Sequence, residues 1–436
     1  MNKKTEIKKL VERYGHDFSK YPRPGKDLIQ YSGPTFDTSE FEAAIDVLLD
    51  GWFGLGEKAE EFELQTAHAL GKEFGVFVNS GSSANLVALL TIRELFKDKI
   101  SGSRNKVIVP ASSFPTTVNP IIQLGFEPLF VDVEFGTYAP VYDQVIAALE
   151  RHDVIGMMFA HPLGNPVVQT KEYYEKLNKA GGFLIEDCCD CLGGKYLDVP
   201  VGTYSHAATL STYMAHHITS GEGGMVCFNR KKHQRIAKSF RDWGRGCFCS
   251  GKDVLSVDGA CGKRFSCWID NNVSDHRYIY ERLGYNLKPI EMQAAIGLVQ
   301  LKKLEGFVKA RNNNFKHLGS LLSSIEGEVH LPYSSEFVTP SWFSYPITIK
   351  KESLLTRDLL TKSLESKKIQ TRTFFAGNVL KHPAYQKIAK STPYSLKNSD
   401  LIYKNTFMVG VWPGINFEAI EYIADNILSI VSGDNT

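Results

Sequence analysis

Residues Ser211 to Gly224 read STYMAHHITSGEGG, a stretch with two adjacent histidines and no lysine. Imidazole takes up and releases protons near neutral pH. Unlike a lysine amine, it cannot hold an imine. A histidine beside a strand end is also a common polar core residue, so His216 and His217 must each be weighed against that use. Upstream, Asn79 to Asn85 reads NSGSSAN between an apolar run and a helical pattern. Small residues there leave backbone N–H groups and hydroxyls open at a helix N-terminus, which suits a phosphate. A plain serine-rich helix cap is the commoner use of such a string. Eight cysteines are present: Cys188, Cys189, Cys191, Cys227, Cys247, Cys249, Cys261 and Cys267. In a large cytosolic chain these do not read as structural disulfides. Cys227 and Cys267 read as inert packing thiols. The clustered cysteines ask for another use, and four thiolates suit iron–sulfur or zinc.

These residues need a frame. Short apolar runs alternate with helical patterns between about residues 75 and 228. The expected strands are Val76–Val78, Val107–Val109, Leu129–Val133, Ile155–Phe159, Phe183–Ile185, Ala207–Leu210 and Met225–Phe228. Alternation of this kind implies an α/β fold with a mainly parallel, doubly covered sheet. Several runs end on polar residues or a breaker, at Asn79-Ser80, Pro110, Glu186-Asp187 and Ser211. Ligands bind beyond the carboxyl ends of such strands. Glu291 to Val308 has helical periodicity. The expected organisation is an arm and helix over 1–40, a large cofactor-binding domain over 41–310 and a smaller α/β C-terminal domain over 311–436. Tyr21 to Pro34, with three prolines, reads as an extended arm.

The 436 residues leave ample core and suggest two or three domains. A net charge of +2 gives no reason to expect nucleic acid or an acidic membrane as partner. No apolar run is long enough to span a bilayer. The N-terminus, MNKKTEIKKLVERYG, is basic, lacks the apolar stretch of a signal peptide and reads as a short amphipathic helix. The expected setting is cytoplasmic.

Several strings in one order resemble the sugar aminotransferases of the DegT/DnrJ/EryC family: GWFGLGEKAEEFE, NSGSSAN, PASSFPTTVNPI, IEDCCDCLGG, STYMAHHITSGEGG and GYNLKPIEMQAAIGLVQL. The resemblance runs from about residue 40 to 430. It implies the type I fold of aspartate aminotransferase-like enzymes that use pyridoxal phosphate. It also implies a site. Gly81, Ser82 and Ser211 would contact the cofactor phosphate. Phe114 would stack on the pyridine ring. Asp187 would pair with the ring nitrogen and sustain its use as an electron sink. Asp190 stands where the family has glutamine near the cofactor. Asn286 would reach the phosphate of a neighbouring subunit in a homodimer. His216 occupies the family's lysine position, and His217 one often held by asparagine. That exchange points from transamination to dehydration with untethered pyridoxamine phosphate.

Two groups of relatives share the histidine. One acts on CDP-4-keto-6-deoxyglucose and carries an iron–sulfur cluster; the colitose-pathway group, acting on a GDP-linked sugar, does not. The cluster pattern is C-x57-C-x-C-x7-C. Here Cys189 and Cys247 enclose 57 residues and Cys249 follows after one. The fourth position would be Val257; the next cysteine is Cys261, eleven residues after Cys249. A loop longer by four residues keeps Cys261 as the ligand. The cluster is expected as [2Fe-2S], with zinc as the alternative from spacing alone.

The resemblance thus implies C3 dehydration of a nucleotide-linked 4-keto-6-deoxyhexose, CDP favoured, toward a 3,6-dideoxyhexose. His216 would remove a proton from the cofactor's aminomethyl carbon as the C3 hydroxyl leaves. Electrons would come from a flavin-dependent iron–sulfur reductase. Arg372, in IQTRTFFAGN, is a candidate for the diphosphate, with a salt bridge as the equal alternative. Tyr213 is a candidate for the sugar pocket; Phe374 and Phe375 read as core first. The alternatives are a cluster-free dehydratase, a redox-sensing relative without catalysis, and an aminotransferase using Lys195, which lies far from the motif.

Overall fold

The computed structural model describes residues 3–14, 20–249, 257, 259, 262–389 and 392–433. All seven expected apolar runs become strands of one sheet: Phe74–Val78, Lys106–Pro110, Glu127–Val131, Val154–Ala160, Phe183–Asp187, Ala207–Ser211 and Gly224–Phe228. Across the sheet they follow the order 74, 224, 207, 183, 154, 106, 127 by first residue. Gly224–Phe228 runs antiparallel to both neighbours, and the remaining pairings are parallel. Helices cover both faces, so the strands are apolar on both sides. Alternation still assigns each residue a face: Val107 and Val109 pack with Val87 and Val118, whereas Ile108 packs with Val145 and Tyr173.

The expected Glu291–Val308 helix runs on to Leu322, 32 residues in all. Its second half carries Arg311 and Asn314, polar residues that obscure the periodicity. Both are buried because backbone carbonyls receive them: Arg311 donates to Phe343 O and Asn314 to Ile415 O. The helix serves two cores, Ala294 and Leu298 in one, Phe315, Leu318 and Leu322 in the other. The second core lies against a four-stranded antiparallel sheet of Val329–His330, Ser344–Ile349, Thr406–Gly410 and Arg372–Thr373, in that spatial order. The closing helix is Phe417–Ser432.

The N-terminal helix spans Lys3–Tyr14. The proline-containing arm is anchored through Ile29, 1% exposed, whose N–H donates to Lys368 O and whose carbonyl accepts from Gln370 N–H. A two-stranded hairpin, Phe265–Ile269 with Asn272–Asp275, follows the cysteine-bearing loop. No described helix is long and apolar enough to cross a membrane.

Candidate active site

The parallel strands end where the polar residues stand, and a cavity of about 700 Å³ opens there. Its lining brings together Gly81, Ser82, Phe114, Asp187, Cys189, Asp190, Ser211, Tyr213, His216 and Arg372. No lysine lines it among the described residues. Lys195 is exposed in a two-residue strand beside Thr339 and Pro200, outside the cavity.

The candidate phosphate cradle is built by the strand-to-helix turn after Phe74–Val78. Ser80 caps the helix Gly81–Leu95, accepting from Ser83 N–H at 3.1 Å. Gly81 is required by close approach: a Cβ there would lie 2.5 Å from Ser211 Cβ and 3.1 Å from Cys189 Sγ. Ser82 is exposed to the cavity and its Oγ donates to Thr116 at 3.1 Å. Backbone N–H groups at a helix N-terminus with adjacent hydroxyls fit a phosphate.

Asp187 ends the Phe183–Asp187 strand and is buried. Its Oδ2 accepts from Asn85 Nδ2 at 2.7 Å and Thr117 Oγ1 at 2.9 Å, and its Oδ1 accepts from Cys189 N–H at 3.1 Å. Asn85 is itself oriented by Thr209, whose hydroxyl donates to it at 2.6 Å. A buried carboxylate held by neutral donors can pair with a protonated ring nitrogen. Phe114, half exposed, presents its ring to the cavity and meets Phe375 edge-on at 6.1 Å. A carboxylate at one end, an aromatic face alongside and a phosphate cradle at the other end fit a phosphorylated pyridine cofactor.

The two histidines separate. His216 lines the cavity, with Nδ1 3.2 Å from Asp190 Oδ1. His217 turns into the interior, where Nε2 meets Ser341 O at 2.7 Å. Burial, with Arg311 nearby, lowers its pKa far below the ordinary imidazole range, so His217 stays neutral. Arg311 is 1% exposed and donates to the carbonyls of Phe343 and His216. Burial lowers its guanidinium to about 9, against the attraction of Asp190.

Arg372 is exposed at the cavity rim, 4.7 Å over the Tyr31 ring, with Nη1 donating to Thr371 O. Tyr213 is also half exposed there. Phe374 is core, stacked on Tyr138 at 4.7 Å, whereas Phe375 lines the cavity. Asn286 does not line this cavity; it is exposed and bridges backbone to Asp242. Sequence reasoning assigned no role to Asn85 and Thr117, although both lie within the quoted strings. Tyr31, His382, Tyr385 and Met408 come from distant segments and carried no local signal.

The cysteine set is not gathered by the described residues. Cys189 faces the cofactor cavity beside Gly81. Burial, then Asp187, raises its thiol well above the ordinary range, which opposes the thiolate form. Cys247 and Cys249 lie in the loop after the helix Lys231–Arg241 and outside the cavity lining. Cys261 lies outside the described residues. Among the described residues, the metal-capable trio within 4.8 Å is His161, Glu186 and Cys188. Its His161 Nδ1 accepts from Val167 N–H, so Nε2 carries the proton shared with Glu186 at 2.9 Å. That proton holds the place a cation would take. Cys189, Cys247 and Cys249 do not form such a group among the described residues, and no reaction step is routed through a four-thiolate centre.

The DegT/DnrJ/EryC1/StrS aminotransferase family model matches residues 34–428. The lipopolysaccharide biosynthesis protein RfbH of Salmonella typhimurium is 39% identical over 429 residues, covering 97% of this chain and 96% of that protein. The dTDP-4-dehydro-2,6-dideoxy-D-glucose 3-dehydratase of Saccharopolyspora spinosa is 40% identical over 413 residues, covering 94% and 87%. Among solved structures, the E. coli GDP-4-keto-6-deoxy-D-mannose-3-dehydratase with bound hydrated PLP superposes with a TM-score of 0.78 at 26% identity, covering 92% of this chain and 99% of that one. The aspartate aminotransferase-like fold expected from the sequence is the fold these structures share with this chain.

Proposed function

Since the chain belongs to the DegT/DnrJ/EryC1/StrS aminotransferase family, we propose that it is a pyridoxamine phosphate-dependent 3-dehydratase of a nucleotide-linked 4-keto-6-deoxyhexose. One observation carries the reading: a histidine, His216, lines the cofactor cavity and no lysine does, among the described residues. A tethering amine is what an aminotransferase of this fold requires.

Gly81, Ser82 and Ser211 hold the phosphate, Phe114 covers one face of the ring, and Asp187 pairs with its nitrogen. Bound there, pyridoxamine phosphate supplies an amine for the C4 carbonyl and a protonated ring that draws electron density from the reacting carbons. His216 accepts a proton from the aminomethyl carbon and returns it to the departing C3 hydroxyl. Tyr213 and Phe375 border the sugar. Arg372 at the rim meets the nucleotide diphosphate, where a planar guanidinium pairs well with phosphate oxygens. Asn286, outside this cavity's lining, would reach the neighbour's phosphate in a homodimer. A nucleotide-sugar substrate fits a cytoplasmic setting.

The iron–sulfur centre fed by a flavin-dependent reductase stays part of this reading through the 57-residue Cys189–Cys247 spacing and the later Cys249 and Cys261. A cluster-free dehydratase is the second reading, favoured by the place of Cys189 in the cofactor cavity beside Gly81.

The test uses CDP-, dTDP- and GDP-linked 4-keto-6-deoxyhexoses carrying 18O at C3, with pyridoxamine phosphate. Loss of the label to water from one of them, abolished in His216→Asn, is expected. Formation of an amino sugar with the label retained would overturn the proposal. The optical spectrum of anaerobically purified protein separates the two forms: bands that bleach with dithionite mark the cluster, and a colourless cofactor-binding protein marks its absence.

A further inference from the structure

Asp190 stands in the loop three residues after Asp187, and the two carboxylates face different work. No hydrogen bond links Asp190 to the Asp187, Asn85, Thr117 network among the described contacts. Asp190 Oδ1 instead lies 3.2 Å from His216 Nδ1. That nitrogen is buried and makes no aligned hydrogen bond, and Asp190 is the carboxylate within reach of it, so a small turn of either side chain closes the contact. Asp190 is 7% exposed and Arg311 is 1% exposed. Arg311 supplies the positive charge that a buried carboxylate needs, and its Nη2 also donates to the His216 carbonyl at 3.3 Å. The same buried cation therefore fixes the backbone of the histidine and balances the carboxylate beside its ring.

We propose that Asp190 is the positioning residue of His216: it accepts the Nδ1 proton and leaves Nε2 bare toward the cavity. A histidine in the other tautomer has no lone pair at Nε2 to accept a proton from carbon. When Nε2 takes that proton, Asp190 steadies the imidazolium. The role rests on His216 being the base of the proposed dehydration. It differs from direct cofactor binding, the use that Asp190's place in the sequence suggests.

The tautomer of His216 in the wild-type protein without cofactor, read by 15N NMR of histidine-labelled protein, tests the geometry without any turnover. A protonated Nδ1 and bare Nε2 are expected; the reverse overturns the proposal. Asp190→Asn is then compared with Asp190→Glu. Solvent exchange of the aminomethyl protons of bound pyridoxamine phosphate should fall by roughly 10²–10⁴-fold in Asp190→Asn. Cofactor affinity should stay within about threefold, and Asp190→Glu should recover part of the exchange. A parallel loss of affinity and exchange would make Asp190 a cofactor contact and overturn the role. Undiminished exchange in His216→Asn would instead remove His216 as base, a failure of the function proposed above that leaves the NMR result standing on its own.

Discussion

Asn85 Nδ2 lies 2.7 Å from Asp187 Oδ2, and Asn85 Oδ1 accepts from Thr209 at 2.6 Å. The helix that begins at the candidate phosphate cradle thus also orients the Asp187 carboxylate. One helix carries both features, so its packing against the sheet sets their relative position. Asn85→Ala removes a donor from a buried carboxylate and an acceptor from Thr209. Its expected cost is about 1–3 kcal/mol of stability, with cofactor affinity down by about tenfold if a similar 1.4 kcal/mol is lost in binding. Denaturant unfolding and a cofactor fluorescence titration measure the two separately.

Gly81→Ala should weaken cofactor binding, because the new Cβ would meet Ser211 Cβ at 2.5 Å and the neighbouring backbone would have to shift. Gly306 is the control: it lies inside the helix Glu291–Leu322 with nothing within 4 Å of an added Cβ. Gly306→Ala should raise stability by about 0.5–1 kcal/mol and leave binding untouched. Equal effects of the two substitutions on affinity would remove the steric account of the cradle.

Glu291 serves the start of a helix other than its own. The helix Glu57–Ala69 begins after Gly56, which has no side chain to cap it. The Glu291 carboxylate accepts from the N–H groups of Gly56, Lys58 and Ala59 at 2.7, 2.6 and 3.2 Å. Glu291→Ala leaves these donors without that acceptor and should cost roughly 1–3 kcal/mol. Amide hydrogen exchange should rise first at residues 56–60. Unchanged protection there would mean that another group caps this helix.

Stability should fall in mild acid. Burial, with a smaller push from Lys72, lowers His206 to about 4. In the unfolded chain the ring titrates near its ordinary 6.5. Between those values the unfolded state binds more protons, so stability rises with pH through the window and is lost as pH falls from about 6.5 toward 4. The buried His217 acts in the same direction. The expected loss between pH 7 and pH 5 is about 2 kcal/mol from His206. Urea unfolding at the two pH values measures it. His206→Asn can keep an acceptor for Leu184 N–H, now served by Nδ1 at 3.1 Å, and should flatten the pH slope.

The order of apolar runs and polar ends carried much of the fold. Each strand of the large sheet coincides with a run such as Phe183–Ile185 or Ala207–Leu210, because burial on both faces demands continuous apolar sequence. The helix beyond Val308 was not legible, since Arg311 and Asn314 look exposed until the carbonyls that receive them are in place. The hairpin at Phe265–Asp275 was missed as well; its side chains are largely exposed, and exposure leaves no hydrophobic period to read.

Chemical identity and local spacing were decided by the chain itself: a histidine without a lysine in one turn, small residues after a strand, an aspartate at a strand end. Those follow from what each side chain can donate, accept or hold. Proximity was decided only by the tertiary structure. It turned His216 into the cavity and His217 into the core, brought Asp190 beside His216, and placed Cys189 in the cavity lining next to Gly81. Adjacent residues diverge and distant ones meet because the packing of helices on the sheet, rather than separation along the chain, sets the distances over which protons and charges act.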